Sequence, residues 1–303
     1  MGGREWLLLL ILSLLWGGSF FFNGIAVREL PVLTIVFLRV CLAAMVLWLI
    51  AIARGNADRA PARTWQVFLV MGLLNNIIPF TLIVRGQAEI ASGLASILNA
   101  TTPLFTVVIA HFMTSDEKLT RLRLTGVLCG IAGVVVLTGV GNILEAGSFN
   151  TAQLMCLGAA LSYGFATIFG RRFRAMGVEP MAAAKGQLTA SSILLLPVVL
   201  MVDKPWALPV PGVTVIASVV CLAVLCSALG YAIFFRVLST AGATNLSIVT
   251  FLIPVSAIWL GWLFLDETLL ARHFAGLALI GAGLAAIDGR PVALVVRAAK
   301  RAR

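Results

Sequence analysis

Ten intervals of this chain contain no Asp, Glu, Lys, Arg or His: 6–27, 40–53, 64–84, 90–110, 124–144, 146–170, 186–202, 205–235, 237–265 and 274–287. A helix that crosses a bilayer needs about 20 mostly apolar residues, and most of these intervals supply them as they stand. The intervals 40–53 and 186–202 reach that length by extending back over Arg39 and towards Lys185, and the last by beginning near Ala271. Barrel strands alternate apolar and polar residues over about ten positions, and these runs do not alternate. Hydrophobic residues make up 61% of the chain and charged residues 11%, against about 25% charged in ordinary soluble domains. The expected fold is all-α and polytopic, with ten transmembrane helices.

The first run follows Arg4 and ends in Gly17-Gly18-Ser19, as a signal peptide would. It exceeds the apolar region of about 7–15 residues that such peptides carry, so a retained helix is expected. With the N-terminus in the cytoplasm, the inside segments hold Arg4, the bases at 54, 59, 63, 118, 121, 123, 171, 172, 174, 185 and 236, and five more in the tail, 17 of the 22 Lys and Arg. Arg28, Arg85, Lys204 and Arg272 fall outside, and Arg39 lies within a span. This asymmetry is the positive-inside pattern and puts both termini in the cytoplasm. The net charge of +10 then serves topology and attraction to anionic lipid and gives no reason to invoke nucleic acid.

The chain also repeats itself. Ser96-Ile-Leu-Asn-Ala-Thr-Thr-Pro103 is matched 151 residues later by Ser247-Ile-Val-Thr-Phe-Leu-Ile-Pro254. Arg85 faces Arg236 at the same offset, Asp116-Glu117 faces Asp266-Glu267, and Gly126, Gly133 and Gly139 face Gly276, Gly283 and Gly289. Trp16-Gly17 faces Tyr163-Gly164. Solenoid repeats recur every 20 to 50 residues or so, so this period marks a duplicated half: residues 1–145, then 146–289, then a basic cytoplasmic tail, 290–303. Five spans per half is an odd number, which makes the second copy enter the membrane from the opposite side. Arg85 is thus expected at the periplasmic end of its span and Arg236 at the cytoplasmic end of its own. Inverted repeats of this kind build transporters whose site lies at the repeat interface near mid-bilayer.

Two five-span halves, an aromatic-glycine near the start of each, an Arg early in the second span, prolines in the fourth and ninth, and an acidic loop before a Gly-rich helix together resemble the drug/metabolite transporter superfamily. Within it the chain resembles the EamA family of bacterial exporters and, more narrowly, the YddG-type aromatic amino-acid exporters, over residues from about 6 to 289. The resemblance implies an inner-membrane secondary transporter that exports amino acids, aromatic and other apolar ones and threonine among them, or similar small amphipathic metabolites, by alternating access. The alternative within the superfamily is an exporter of unrelated drugs or metabolites. The family also carries an Arg at the place of Arg39.

Polar residues and prolines inside spans are costly in lipid and belong on a cavity or a helix interface. The fourth span offers Ser96, Asn99, Thr102 and Pro103, and the ninth Ser247, Thr250 and Pro254. Each proline frees the carbonyl four residues back, that of Asn99 or Thr250, either to bind a substrate ammonium or to leave a kink that Ser and Thr packing stabilises. These two helices are expected to be broken or kinked, with selectivity residing where Asn99 and Thr250 differ. The third span adds Asn75, Asn76 and Pro79, one asparagine lining the cavity and the other bonding a neighbouring helix; the eighth adds Ser227 and Tyr231. Trp16 and Tyr163 form a cavity wall or pack in the core, with Phe20, Asn23 and Thr167 one or two turns further on. Arg39, about 10 Å deep at about 1.5 Å per residue, either snorkels to the surface or meets a substrate carboxylate, and Gln187 occupies its place in the second half. The pairs Asp116-Glu117 and Asp266-Glu267 either cap the helix that follows, pair with its first-turn base, or stand in solvent; on opposite faces they are expected to close the two gates.

No carboxylate lies deep in a span, which removes the usual intramembrane proton relay, and no G-x-x-x-x-G-K-[ST] points to ATP. Gly281-Ala282-Gly283 with Ala286 lies inside an apolar helix and reads as packing. So do Gly126, Gly130, Gly133 and Gly276, which let the fifth and tenth spans approach a neighbour closely. Five cysteines without C-x-x-C argue against disulfides and zinc. Neither a metal nor a cofactor is expected, and the only partners are a small-molecule substrate and the lipid bilayer, with the chain working as a monomer. His111 and His273 sit near span ends without a matched nucleophile, so an intramembrane enzyme is disfavoured. A non-transporting receptor or scaffold is a further rival. A channel differs from a carrier in conducting without saturation.

Overall fold

The computed structural model describes residues 2–55, 61–139, 150–246 and 248–289. Among these there is no strand. The apolar runs form α1 (Gly3–Ala26), α2 (Val32–Ala53), α3 (Ala62–Gln87), α4 (Ser92–Met113), α5 (Arg121–Thr138), α6 (Thr151–Ala175), α7 (Pro180–Val202), α8 (Val213–Gly242), α9 (Val249–Leu265) and α10 (Ala271–Asp288). Nine have the length and hydropathy to cross a membrane unaided, and α9 is apolar but shorter at 17 residues.

Local chemistry sets the ends. Pro31 precedes α2, which begins at Val32 and so carries Arg39 in its third turn. Gly139, at φ 90°, stops α5, and the Asn150 side chain caps α6 by accepting from the Ala152 N–H at 2.8 Å. The helix that carries Arg236 outlasts its charge-free interval: α8 runs through Arg236 to Gly242, where φ of 80° breaks the helix. A base on an exposed face leaves the helical hydrogen bonds intact, whereas a positive φ cannot continue them. The expected half boundary at 145/146, the tail 290–303 and Ser247 lie outside the described residues.

Helix packing follows one rule. α1 lies on α9 and α6 on α4; α3 lies on α6 and α7, and α8 on α1 and α2; α2 lies on α7, and α5 on α10. Exchanging every helix for the one five places along leaves this set of neighbours unchanged. The buried clusters accordingly draw on both halves, one joining Leu9 and Leu12 to Ile97 and Ile253, another joining Ile35 and Val40 to Leu188 and Leu222. Large apolar side chains such as Leu49, Leu128 and Met201 stand exposed on the outside, as lipid requires.

Glycines permit the closest approaches. A Cβ on Gly17 would lie 2.6 Å from Ser256 Cβ, and one on Gly164 would lie 3.2 Å from Phe105 Cβ, so the matched glycines seat α1 on α9 and α6 on α4. Between α5 and α10, a Cβ on Gly126 would meet the Gly283 carbonyl at 2.5 Å, and one on Gly133 the Gly276 carbonyl at 2.8 Å. Small residues thus bring backbones into van der Waals contact, the main source of helix association in lipid. Gly283→Val is expected to cost about 1–3 kcal/mol by overpacking and to lower the thermal midpoint of the detergent-purified protein. Gly281→Val, where a Cβ would meet nothing within 4 Å, should leave that midpoint unchanged.

Candidate functional site

A cavity of about 810 Å³ runs into the bundle between α1, α2, α3, α4, α6, α7, α8 and α9. At one end its wall includes exposed Arg174, Gly177 and Pro180, at the junction of α6 and α7, and there it opens. At the other end Phe20, Asn23, Phe80 and Ile83 are all buried.

Most of the expected residues meet in this cavity. Trp16, Phe20, Asn23, Arg39, Asn75, Asn99, Thr102, Tyr163, Thr167, Gln187, Ser227, Tyr231 and Thr250 all line it. Asn76, Pro79, Ser96, Pro103 and Pro254 do not. Asn76 is fully buried and spends its amide on Ser191 Oγ (3.0 Å), as the asparagine that bonds a neighbouring helix. Ser96 donates to the Gly93 carbonyl of its own helix at 2.6 Å. Pro103 interrupts α4 at Ala100–Thr101, and the carbonyl it frees on Asn99 accepts from Thr102 Oγ1 at 2.7 Å rather than facing a ligand. α9 continues without a break through Pro254, so only the fourth helix is interrupted as expected.

The third and eighth helices carry a feature that hydrophobic runs do not betray. Each contains a π-helical turn, Leu73–Ile77 in α3 and Leu222–Leu229 in α8, at matching places. Pro79 follows the first and removes the N–H that Asn75 O would accept in an α-helix. Gly230 stands at the matching place after the second, where a Cβ would lie 2.8 Å from Trp16 Nε1. Wide turns of this kind concentrate at functional sites, and here they turn Asn75, Cys226 and Ser227 to the cavity.

Polar contacts then tie neighbouring helices together around the cavity. Arg39, 6% exposed, donates from Nε to Ser227 Oγ at 3.0 Å and lies over the Phe80 ring at 3.8 Å. Ser227 in turn donates to Leu222 O across the π turn at 2.9 Å. One turn further along α8, Asn75 Nδ2 donates to Tyr231 Oη and also to Gln187 Oε1, both at 3.2 Å. Among the described residues no carboxylate reaches Arg39. The aromatic wall is Trp16 against Phe234 (5.4 Å between centroids) and Tyr231 stacked on Phe235 (6.2 Å). Phe80, Ile83, Cys226, Phe234 and Phe235 were not anticipated as lining residues, since apolar side chains give no sign in sequence of which ones face a cavity.

The acidic pairs behave differently from each other, and neither caps the helix after it. Thr120 caps α5, and His273 Nδ1 accepts from Leu270 N–H at the start of α10. Glu267 reaches across the bundle to α4, its carboxylate accepting from the Ser92 N–H at 2.8 Å and the Gly93 N–H at 3.2 Å, where the positive end of the helix dipole favours it. Gln87 closes the same end, donating to Phe20 O (2.7 Å) and Ser92 Oγ (3.0 Å) and accepting from Asn23 Nδ2 (3.3 Å). Asp266 is exposed with φ of 54°. Glu117 and Asp116 instead bind exposed Arg171 on α6 at 2.6 and 3.1 Å, and this bond holds the Asp116 carboxyl below its ordinary pKa. His111 Nδ1 accepts from Leu119 N–H at 3.3 Å, a structural role.

The EamA-like transporter family matches residues 4–139 and again 150–287. The uncharacterized transporter YoaV of Bacillus subtilis is 27% identical over 277 residues, covering 90% of this chain and 92% of its own. YvbV of the same organism is 28% identical over 91% of this chain and 89% of its own. The inner membrane transporter YedA of Escherichia coli is 27% identical over 90% of this chain and 86% of its own. A solved crystal structure superposes with a TM-score of 0.65 over 95% of this chain and 98% of its own at 19% identity, which speaks to the fold alone. Two matches to one family, ten apolar helices, eight of them around a solute-sized cavity, and relatives of nearly equal length lead to one conclusion: the chain belongs to the EamA-like transporter family and is a multi-pass inner-membrane transporter.

Proposed function

We propose that the protein exports amino acids, aromatic and other apolar ones first, or similar small amphipathic metabolites, by alternating access, as the YddG-type resemblance implies. The observation that carries the reading is the cavity itself: about 810 Å³, open at one end and stitched shut at the other, and lined by both aromatic and polar side chains. That volume and lining suit a solute the size of an aromatic amino acid. The wall of Trp16, Tyr163, Tyr231 and Phe234 suits an apolar side chain. The Arg39 guanidinium, buried and without a carboxylate, suits the substrate's own carboxylate as its counter-ion. With the basic loops in the cytoplasm, the mouth at Arg174 faces inward, and the two halves act as inverted repeats that trade this opening for its counterpart. The chain works as a monomer, since one bundle encloses the whole cavity.

The Glu267–Ser92 contact serves as the latch of the closed end, and Glu117 and Asp116 belong to the gate at the open end. Substrate release on the far side requires the Glu267 latch to part.

Purified protein in proteoliposomes is expected to take up labelled L-phenylalanine saturably and to show counterflow. A rate linear in concentration would identify a channel, and no uptake of any amino acid in a panel would sink the amino-acid assignment. Arg39→Gln should lower phenylalanine transport by about tenfold or more, the loss of one charge-assisted hydrogen bond, at normal expression; full transport would remove Arg39 from substrate binding. Glu267→Gln should weaken the latch and raise the labelling of an engineered cysteine at Asn23 by an impermeant thiol reagent from the far side. Unchanged labelling would take Glu267 out of the gate.

A further inference from the structure

Two side chains in the cavity wall carry acceptors with nothing to accept. Asn23 Oδ1 and Asn99 Oδ1 are buried and meet no donor. A buried acceptor left unpaired costs roughly 1–3 kcal/mol, so a ligand that supplied the donor would recover that penalty.

For Asn23 the orientation of the amide follows from its neighbours. The Phe20 carbonyl can only accept, so Gln87 must turn its Nε2 towards it (2.7 Å). That leaves Gln87 Oε1 towards Asn23, which therefore presents Nδ2 to it (3.3 Å) and has Oδ1 left over. Reversing the Asn23 amide would set one carbonyl oxygen against another. Asn23 is 1% exposed and lies at the closed end of the cavity. The residue at its place in the second half is Gly170, at the open end, so the acceptor exists at one end only.

From this geometry we infer that Asn23 Oδ1, covered in this closed arrangement, becomes the acceptor for the substrate's ammonium group when the side chain turns into the adjoining cavity, and that the residue selects amine-bearing solutes over their deaminated analogues. The inference rests on the transport of amphipathic amino acids proposed above, and adds the group that reads the amine. A bare amine cation is disfavoured, because the cavity holds Arg39 and no carboxylate lines it. A zwitterion is not, since its carboxylate offsets Arg39 while its ammonium takes the neutral acceptor. Asn99 Oδ1, the second unpaired acceptor, offers the same ammonium a further partner. Asn23 is also joined through Gln87 to Ser92, whose N–H holds the Glu267 latch, so an ammonium on Oδ1 would bind at the end of that hydrogen-bond chain.

The test is equilibrium dialysis of the detergent-purified full chain with L-phenylalanine, 3-phenylpropionate and phenethylamine, which differ in the amine and the carboxylate. Wild type should bind phenylalanine at least about tenfold more tightly than 3-phenylpropionate, and phenethylamine least of the three. Asn23→Leu should bring the first two within about twofold of each other, the residue of a tenfold preference once its charge-assisted bond is gone. Asn23→Asp keeps an acceptor with similar shape, and should retain the amine preference and bind phenethylamine better than wild type does. It also serves where the Leu variant fails to fold. An unchanged phenylalanine to phenylpropionate ratio in Asn23→Leu, or loss of the preference in Asn23→Asp, overturns the inference. If in that case Arg39→Gln still weakens both carboxylates, the proposed function stands without it. If wild type binds none of the three, both fall together.

Discussion

Hydrocarbon offers no hydrogen-bond partner, and each feature of this bundle is an answer to that constraint. Backbone groups are satisfied within helices, polar side chains turn inward, and helices associate without a hydrophobic drive. Contact between backbones must then hold the bundle together, which is why glycines sit where α1 meets α9, α6 meets α4 and α5 meets α10. The same residues that seat the helices place their neighbours. Trp16 and Tyr163 face the cavity because Gly17 and Gly164, one residue on, face the partner helix.

The same constraint explains how much of the fold could be read from sequence. Apolar length survives translation into structure because each span must be long enough to cross lipid, so ten runs became ten helices. Arg39 was placed within α2 on length alone. Helix ends outside the hydrocarbon are set by backbone chemistry rather than by charge, so α8 runs on past Arg236 to Gly242. Proline was a better guide to lost N–H groups than to shape: Pro103 interrupts α4, Pro254 leaves α9 unbroken, and Pro79 is preceded by a π turn.

The site was legible where residues are polar. An amide or hydroxyl in a span must meet either a cavity or another helix, and thirteen of the candidates met this cavity. Sequence could not decide between those two fates for a given residue, since the choice depends on which face a helix turns to its neighbours. The tandem asparagines divided between them, Asn75 to the cavity and Asn76 to Ser191. For Glu267 the sequence leaves open a local cap, a pairing with the base of the next helix, a solvated loop and a gate; its partners at Ser92 and Gly93 lie some 175 residues away in the chain, out of reach of a local reading.

Near-equivalence of the halves makes their differences informative. The main helix pairings are unchanged when each helix is replaced by the one five places along, yet the polar groups are not: Arg39 is matched by Gln187, Asn23 by Gly170, and Gln87 by Leu238. An exact duplicate would give both openings the same closing energy. Here one end is held by Glu267, Gln87 and Asn23, while the matching places at the other end offer a glycine and a leucine and the acid there is held by Arg171. Under the alternating access proposed above, the duplicated scaffold would supply two related shapes, and the unmatched polar residues would set their relative stability and the direction in which a polar solute lies between them.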